Sequence, residues 1–120
     1  MKMLKKEAEQ RQAIEMLCTD MLVPKGHLLG KIDAAVNFAR IYELVEDLYC
    51  EDNGRPSCDP VVLFKLVLIQ HLFGIRSLRQ TMRDAEVNVA YRWFLGYTMS
   101  QQLPHFATIS YAFRHRFTAK

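Results

Sequence analysis

The chain has 120 residues, of which half are hydrophobic and 24% are charged, and its net charge is +3. This is the length of about one domain, which can bury a core without metal ions or disulfides. The composition excludes a disordered or collagen-like chain.

The charge is unevenly distributed along the sequence. Residues 1–59 contain 8 Lys/Arg and 11 Asp/Glu, a net charge of −3, whereas residues 60–120 contain 8 and 2, a net charge of +6. The basic half is therefore the candidate nucleic-acid surface. Surface cations also serve solubility, so the charge alone does not decide between a nucleic-acid surface and an ordinary soluble surface.

The N-terminal sequence MKMLKKEAEQRQAIEM is charged throughout and lacks the apolar run of a signal peptide. The most apolar run, residues 61–73, is interrupted by polar residues and is shorter than the roughly 20 residues that span a bilayer. We therefore expect a cytoplasmic protein with no membrane partner. Cys18, Cys50 and Cys58 form no C-x-x-C pair, which favours reduced thiols over a disulfide framework or a zinc site.

The acidic half predicts three helices. Residues 2–17 are rich in helix formers and predict a helical extension, with residues 1–20 as its bounds and 21–120 as the main domain. Thr19, Asp20, Pro24 and Gly26 should break this helix, and a short helix follows over residues 27–36. Residues 38–49 predict an amphipathic helix, and its apolar face is Ile41, Leu44, Val45 and Leu48.

The loop CEDNGRPSCDP then separates the acidic half from the basic half. Asp59 and Pro60 predict the N-cap and first residue of a helix that runs to Gly74. Because its apolar residues occur all round, we expect it to be the central buried element.

Three more helices are predicted in the basic half. Ser77 and Gln80 form a capping-box pattern, after which Leu78, Met82 and Ala85 make the core stripe. Asn88 should cap the next helix, which Gly96 ends, and Thr108 should cap the last one. Ile109, Phe113 and Phe117 should face inward in this last helix. The fold class is all-α, a compact bundle of about six to seven helices.

The sharpest local feature is a series of arginines. Arg76, Arg79 and Arg83 are spaced i, i+3 and i+7, which predicts one cationic face beginning at a helix N-terminus. Phosphates would neutralise this face and release counterions, and the neighbouring Gln80 could reach a base edge. Three further arginines could extend the surface: Arg92, Arg114 and Arg116.

The sequence also fits a helix-turn-helix, in which the second helix enters the major groove. It has a buried helix, then the turn GIRS, then a short polar helix. A solvated cationic face on an ordinary helical hairpin is the alternative. We found no pattern for catalysis, because the histidines are scattered and there is no glycine-rich phosphate loop. His71 is expected to be a core histidine, and His105 to cap or pack the final helix. No metal site or cofactor is predicted.

Three segments together resemble a known family. DLYCEDNGRPSCDPVVLFKLVLIQHLFGIRSLRQT, NVAYRWFLGY and LPHFATISYAFRHRF look like the N-terminal domain of bacterial insertion-sequence transposases, which carry an RNase-H-like catalytic domain further along the chain. The resemblance covers roughly residues 21–117.

The resemblance implies a transposase that binds the terminal inverted repeats of its mobile element and cuts DNA with three carboxylates and Mg²⁺. Those carboxylates lie beyond the N-terminal domain in the family, and this chain ends at Lys120. We therefore expect that the gene is truncated or frameshifted, or that the catalytic part is made from a second reading frame. The chain should bind double-stranded DNA and not be an enzyme alone; Mg²⁺ belongs to the catalytic domain that is missing.

Two alternatives to DNA binding remain open. The aromatic residues Tyr91, Trp93, Phe94 and Tyr97 could exceed what one small core buries, which would indicate a protein-interaction module. Such a module would form a homodimer or associate with full-length transposase. The chain could also be a non-functional remnant.

Overall fold

The computed structural model describes residues 4, 9–50 and 59–116, with side chains for all of these except 45–50 and 113–116. This part of the chain contains seven helices and no strand, which confirms the all-α prediction. The helices are α1 (Thr19–Leu22), α2 (Leu28–Ala35), α3 (Ala39–Cys50), α4 (Pro60–Leu72), α5 (Leu78–Val87), α6 (Val89–Leu95) and α7 (Phe106–Arg116).

The predicted helix over residues 2–17 is wrong in its described part, because residues 9–18 contain only a turn. Ile14 and Met16 in this segment are 99% and 98% exposed. Good helix formers do not hold a short helix without a packing partner, because most helical stability in proteins comes from tertiary contacts. The helix begins later, at Thr19, where the sequence predicted a break.

Helix α1 is held against α6 by polar contacts. The Trp93 indole Nε1 donates to Asp20 Oδ1 at 2.9 Å, and the Thr19 hydroxyl lies 3.4 Å from the Tyr97 carbonyl oxygen. Thr19 and Asp20 therefore attach the start of the chain to the core, instead of only ending a helix.

Helices α4 and α6 form the centre of the bundle. Helix α4 contacts α3, α5 and α6, and α6 contacts α1, α2, α4 and α5. The side chains of Leu66, Ile69 and Phe94 are almost completely buried there. Each contributes about 1.5–3 kcal/mol relative to an exposed position. The prediction of α4 as a central element is confirmed, although Phe64 and Leu72 are exposed on its outer side.

Asp59 begins α4 as predicted. Its Oδ1 accepts from the Val61 backbone N–H at 2.8 Å, and Pro60 is the first helical residue. Its Oδ2 accepts from the Tyr42 hydroxyl at 2.7 Å, so one carboxylate joins α3 to α4. This hydrogen bond, with burial and the Asp59 charge, raises the pKa of Tyr42 to about 12.

The outer face of α3 differs from the prediction. Ile41 packs against the core, but Leu44 is 72% exposed, so the predicted apolar stripe does not all face inward. The side chains of Val45 and Leu48 lie outside the described residues. Phe38, just before α3, is buried and meets the Phe94 ring edge-on at 5.7 Å.

The connection from α4 to α5 is a Schellman turn. The Ile75 backbone N–H donates to the Gln70 carbonyl at 2.9 Å, and Gly74 has a φ of +63°. This is the left-handed conformation that closes a helix C-terminus and that glycine adopts without a Cβ penalty. The turn fixes where α5 begins relative to α4.

Candidate nucleic-acid interface

Helix α5 has one buried face and one face open to solvent. Ser77 caps it, since its Oγ accepts from the Gln80 backbone N–H at 3.1 Å. Thr81, Met82 and Ala85 are buried, and Leu78 packs against the core. The core stripe predicted for this helix is therefore confirmed. The exposed residues of the opposite face are Arg79, Gln80, Arg83, Glu86 and Val87.

The three arginines of the predicted stripe are all exposed, but they are not all on one helix. Arg76 precedes the N-cap Ser77 and lies in the turn, whereas Arg79 and Arg83 are one helical turn apart on α5. The spacing of Arg76 was therefore wrongly interpreted as helical. The result is a cationic edge, made by Arg76, Arg79 and Arg83, that runs from the turn along α5.

None of these three guanidinium groups forms an ion pair with a described carboxylate. Glu86 lies three residues after Arg83 but leaves it unpaired in this part of the chain. Their positive charge is therefore available to a partner, and the like charges lie close enough in sequence to repel one another. A polyanion would relieve that repulsion.

Arg79 is held by a contact that the sequence pattern did not predict. Its guanidinium carbon lies 4.1 Å from the centre of the Phe106 ring, a cation–π arrangement. Phe106 is the first residue of α7, 27 positions further along the chain. Stacking on an aromatic ring restricts the guanidinium, so less conformational entropy is lost when it binds a phosphate.

The capping box is only half formed, because Gln80 has another partner. Its Nε2 donates to Asp84 Oδ1 at 2.9 Å, one turn further along α5, instead of reaching back to the N-cap backbone. The Gln80 amide is therefore exposed and oriented. The Asp84 charge also acts on α6, where burial first and then Asp84 raise the pKa of Tyr91.

Arg92 does not extend the cationic edge. It is only 8% exposed, and its guanidinium donates to three carbonyl oxygens: those of Glu86, Thr98 and Gln101, at 3.1, 2.9 and 2.7 Å. It thereby joins the end of α5 to the loop after α6. The idea that Arg92 is a surface cation is wrong, because the sequence pattern carries no sign of these carbonyl partners.

Arg114 and Arg116 lie on α7, but their side chains are outside the described residues. The start of α7 corrects another prediction. The helix begins at Phe106, and His105 caps it by accepting from the Ala107 N–H at 3.0 Å, so Thr108 is not the cap. The expectation that His105 caps or packs this helix is confirmed. Ile109 is buried as predicted, and Phe113 and Phe117 are outside the described side chains.

The other candidate groups are dispersed. His71 is exposed and bonded to the Val67 carbonyl of its own helix, so the expectation of a core histidine is wrong. Cys18 is exposed with a free thiol; Cys58 and the side chain of Cys50 lie outside the described residues. The residues that the structure describes contain no group of three or more His, Cys, Asp or Glu that could hold a metal ion.

The aromatic cluster fits into the core. Tyr91 and Phe94 are buried, and Trp93 and Tyr97 pack against the core residues. The Tyr91 ring also lies 5.4 Å from that of Phe73. The proposed excess of aromatic surface is therefore wrong as the reason for a protein-interaction module.

The chain matches one known protein family. The model of the family described as Transposase domain (DUF772) matches residues 17–116, so the chain belongs to that family. The match confirms the resemblance to the N-terminal region of an insertion-sequence transposase.

No curated protein and no solved structure was found to match the chain. In the described part, no helix has both the length and the apolar character needed to cross a membrane.

Proposed function

We propose that this domain binds double-stranded DNA through α5 and the turn before it, and that it recognises the ends of an insertion sequence. The observation that carries the proposal is the cationic edge: three exposed arginines without a carboxylate partner in the described chain, one of them fixed over an aromatic ring. Phosphates are the natural partners of such groups, because guanidinium binds them with two parallel hydrogen bonds.

The surroundings of the edge support a helix-turn-helix mode of binding. Helix α4 is packed in the core, the Schellman turn is short, and α5 turns its polar face outward. In that mode the second helix enters the major groove and its N-terminal residues meet the base edges. Arg76 and Arg79 would contact phosphates, and Gln80 lies at the right end of α5 for a base.

Binding by this domain would leave strand cutting to a separate catalytic domain. The proposed role is therefore recognition, with Mg²⁺ chemistry assigned to the RNase-H-like part of a full transposase. Incubating the 120-residue chain with DNA and Mg²⁺ should leave the DNA intact. Metal-dependent cleavage by the purified chain would contradict this division of roles.

The test is a titration of the chain against the inverted repeat of its own element and against a random duplex, at several salt concentrations. We expect binding that weakens steeply with salt, and a weaker complex for the Arg79→Ala/Arg83→Ala double variant. Lys25→Ala/Lys31→Ala is the matched control, because it removes two exposed cations from the acidic half. Absence of binding at low salt, or equal losses in the two variants, would contradict the proposal.

A second candidate function is association with a second copy of the chain or with full-length transposase. It is favoured by exposed apolar side chains near the start of the chain, where Ile14, Met16 and Met21 are all largely uncovered. Single exposed apolar residues are normal, whereas several close together mark interaction sites. Sedimentation of the chain, alone and mixed with full-length transposase, separates a monomer from an assembly, and a strict monomer in both samples would exclude this function.

A further inference from the structure

We infer that Gln80 reads an adenine in the major groove, and that Asp84 is the residue that positions Gln80 for this contact. The inference rests on the proposed function, since it assumes that α5 enters the groove. Beyond DNA binding, the inference names adenine as the base that is recognised and Asp84 as the residue that makes the recognition selective. The observations are the Gln80–Asp84 hydrogen bond, the exposure of Gln80 and its place in the first turn of α5.

Gln80 lies exposed in the first turn of α5. It is the third residue of α5, and the buried residues Thr81, Met82 and Ala85 occupy the opposite side. Gln80, Arg83 and Val87 therefore follow one another along the outer side, at i, i+3 and i+7. Gln80 is the member of this line nearest the N-terminus of α5, which is the end that meets base edges in a helix-turn-helix.

The Gln80 amide is complementary to the major-groove edge of an adenine. An adenine presents an acceptor, N7, beside a donor, the N6 amino group, and a glutamine amide matches both with its N–H and its carbonyl oxygen. The amide nitrogen carries two hydrogens. Asp84 accepts one of them, which leaves the other N–H and Oε1 free for the base.

Asp84 also decides which way the amide points. A carboxylate accepts hydrogen bonds and donates none, so it selects the nitrogen of Gln80 and keeps Oε1 on the other side. An unrestrained glutamine could rotate its amide and accept or donate in either order. The restraint therefore converts a general polar contact into a preference for one order of acceptor and donor, which is that of adenine.

Asp84 is itself fixed and cannot easily serve as a direct phosphate contact. It is half-buried on α5, where its Oδ1 accepts from Gln80 Nε2 at 2.9 Å, and its charge adds to the effect of burial in raising the pKa of Tyr91. Its negative charge repels phosphates, which costs affinity for every DNA sequence alike. A residue that lowers general affinity but orients a base-reading side chain contributes to selectivity.

The experiment compares sequence preference with general affinity, using the full 120-residue chain. Selection from a randomised duplex library gives the preferred site. Wild type and the variants Gln80→Ala, Asp84→Ala and Asp84→Asn are then titrated against that site, against copies with each base pair replaced, and against a random duplex. Gln102→Ala is the matched control, because Gln102 is an exposed glutamine outside α5. Circular dichroism of each variant checks that it is folded.

We expect wild type to lose about tenfold or more in affinity when one particular A·T pair is replaced. Gln80→Ala and Asp84→Ala should abolish that discrimination, whereas Asp84→Asn should keep only part of it, because the asparagine amide can either accept from the Gln80 nitrogen or donate to the Gln80 oxygen. Both Asp84 variants lose the same negative charge, so both should bind the random duplex more tightly and by the same factor. Gln102→Ala should behave as wild type.

Three results would overturn the inference. Equal weakening of all sequences by Gln80→Ala would make Gln80 a general contact. Full discrimination retained in Asp84→Ala would show that Asp84 does not position Gln80. No binding to any duplex by wild type would overturn the proposed function as well, which the first two results leave standing.

Discussion

Arg83 and Arg92 are the same residue type nine positions apart, yet their environments give them different roles. Arg83 is exposed on α5, whereas Arg92 is buried with its guanidinium donating to three backbone carbonyls. The sequence shows only that both are arginines in the basic half. Burial and hydrogen-bond partners, which depend on the tertiary fold, separate a structural arginine from a candidate DNA contact.

Arg92→Ala should therefore reduce the stability of the domain. The change removes three charge-assisted hydrogen bonds and leaves the carbonyl oxygens of Glu86, Thr98 and Gln101 without this donor. We expect a loss of about 2–4 kcal/mol in the free energy of unfolding, measured by denaturant titration followed by circular dichroism. Arg83→Ala is the control and should stay within about 0.5 kcal/mol of wild type. Similar losses in the two variants would contradict this assignment.

The helices show what local sequence determines and what it does not. Asp59, Ser77 and Asn88 cap the helices for which they were predicted, because capping depends on residues two or three positions away. Residues 9–17 form no helix despite their composition, because they have no surface to pack against in the described chain. Propensity sets what a segment can form, and tertiary contacts decide whether it does.

In the candidate interface, too, the local sequence predicts some features and the tertiary fold determines the others. The exposure of Arg79 and Gln80 could be anticipated from the polar face of α5, since both lie opposite its core stripe. The Arg79–Phe106 contact could not, because it joins residues of different helices that share no local pattern. The Gln80–Asp84 bond is an i, i+4 pair and was available from the spacing. The capping-box interpretation, which assigned the Gln80 side chain to the helix N-terminus, concealed it.

The turn between α4 and α5 should be sensitive to a single methyl group. Gly74 has a φ of +63°, and an added Cβ would meet no atom within 4 Å, so the penalty of Gly74→Ala is conformational. We expect about 1–2 kcal/mol of lost stability in a thermal or denaturant unfolding experiment.

Gly26→Ala is the matched control for this prediction. An added Cβ at Gly26 also meets no atom within 4 Å, but its backbone lacks the positive φ. The control should be neutral or slightly stabilising, because alanine restricts the unfolded chain. If Gly74→Ala were as stable as Gly26→Ala, the left-handed turn would not be what connects α4 to α5.

At the scale of the whole molecule, Lys65 joins the acidic half to the basic half. Its ammonium donates to the Phe94 carbonyl at 2.7 Å, lies 4.6 and 5.0 Å from the centres of the Phe38 and Phe94 rings, and is 3.9 Å from Asp33. It therefore connects α2, the start of α3, α4 and α6. Lys65 is a partly buried cation at the point where the acidic and basic halves of the chain meet.

Burial lowers the pKa of Lys65, an effect that the charges of Asp33 and Asp59 oppose. Between the lowered pKa of the folded state and the ordinary value of 10.5, the unfolded chain binds more protons at this site than the folded chain does. The contribution of Lys65 to stability should therefore rise with pH through that window. Below it both states carry the charge, and above 10.5 neither does.

Lys65→Met tests this prediction, because methionine keeps the packing against Phe38 and Phe94 but cannot titrate. The free energies of unfolding of wild type and variant are measured from neutral to alkaline pH, and their difference is taken so that other titrating groups cancel. We expect the free energy of unfolding of wild type to increase relative to that of Lys65→Met as the pH rises. Lys31→Met, at an exposed position on α2, is the control for replacing a lysine by methionine outside the core. If the difference in the free energy of unfolding stayed constant or fell with pH for Lys65→Met, the prediction would be wrong. The partners of the Lys65 ammonium would then stabilise its charge as well as water does.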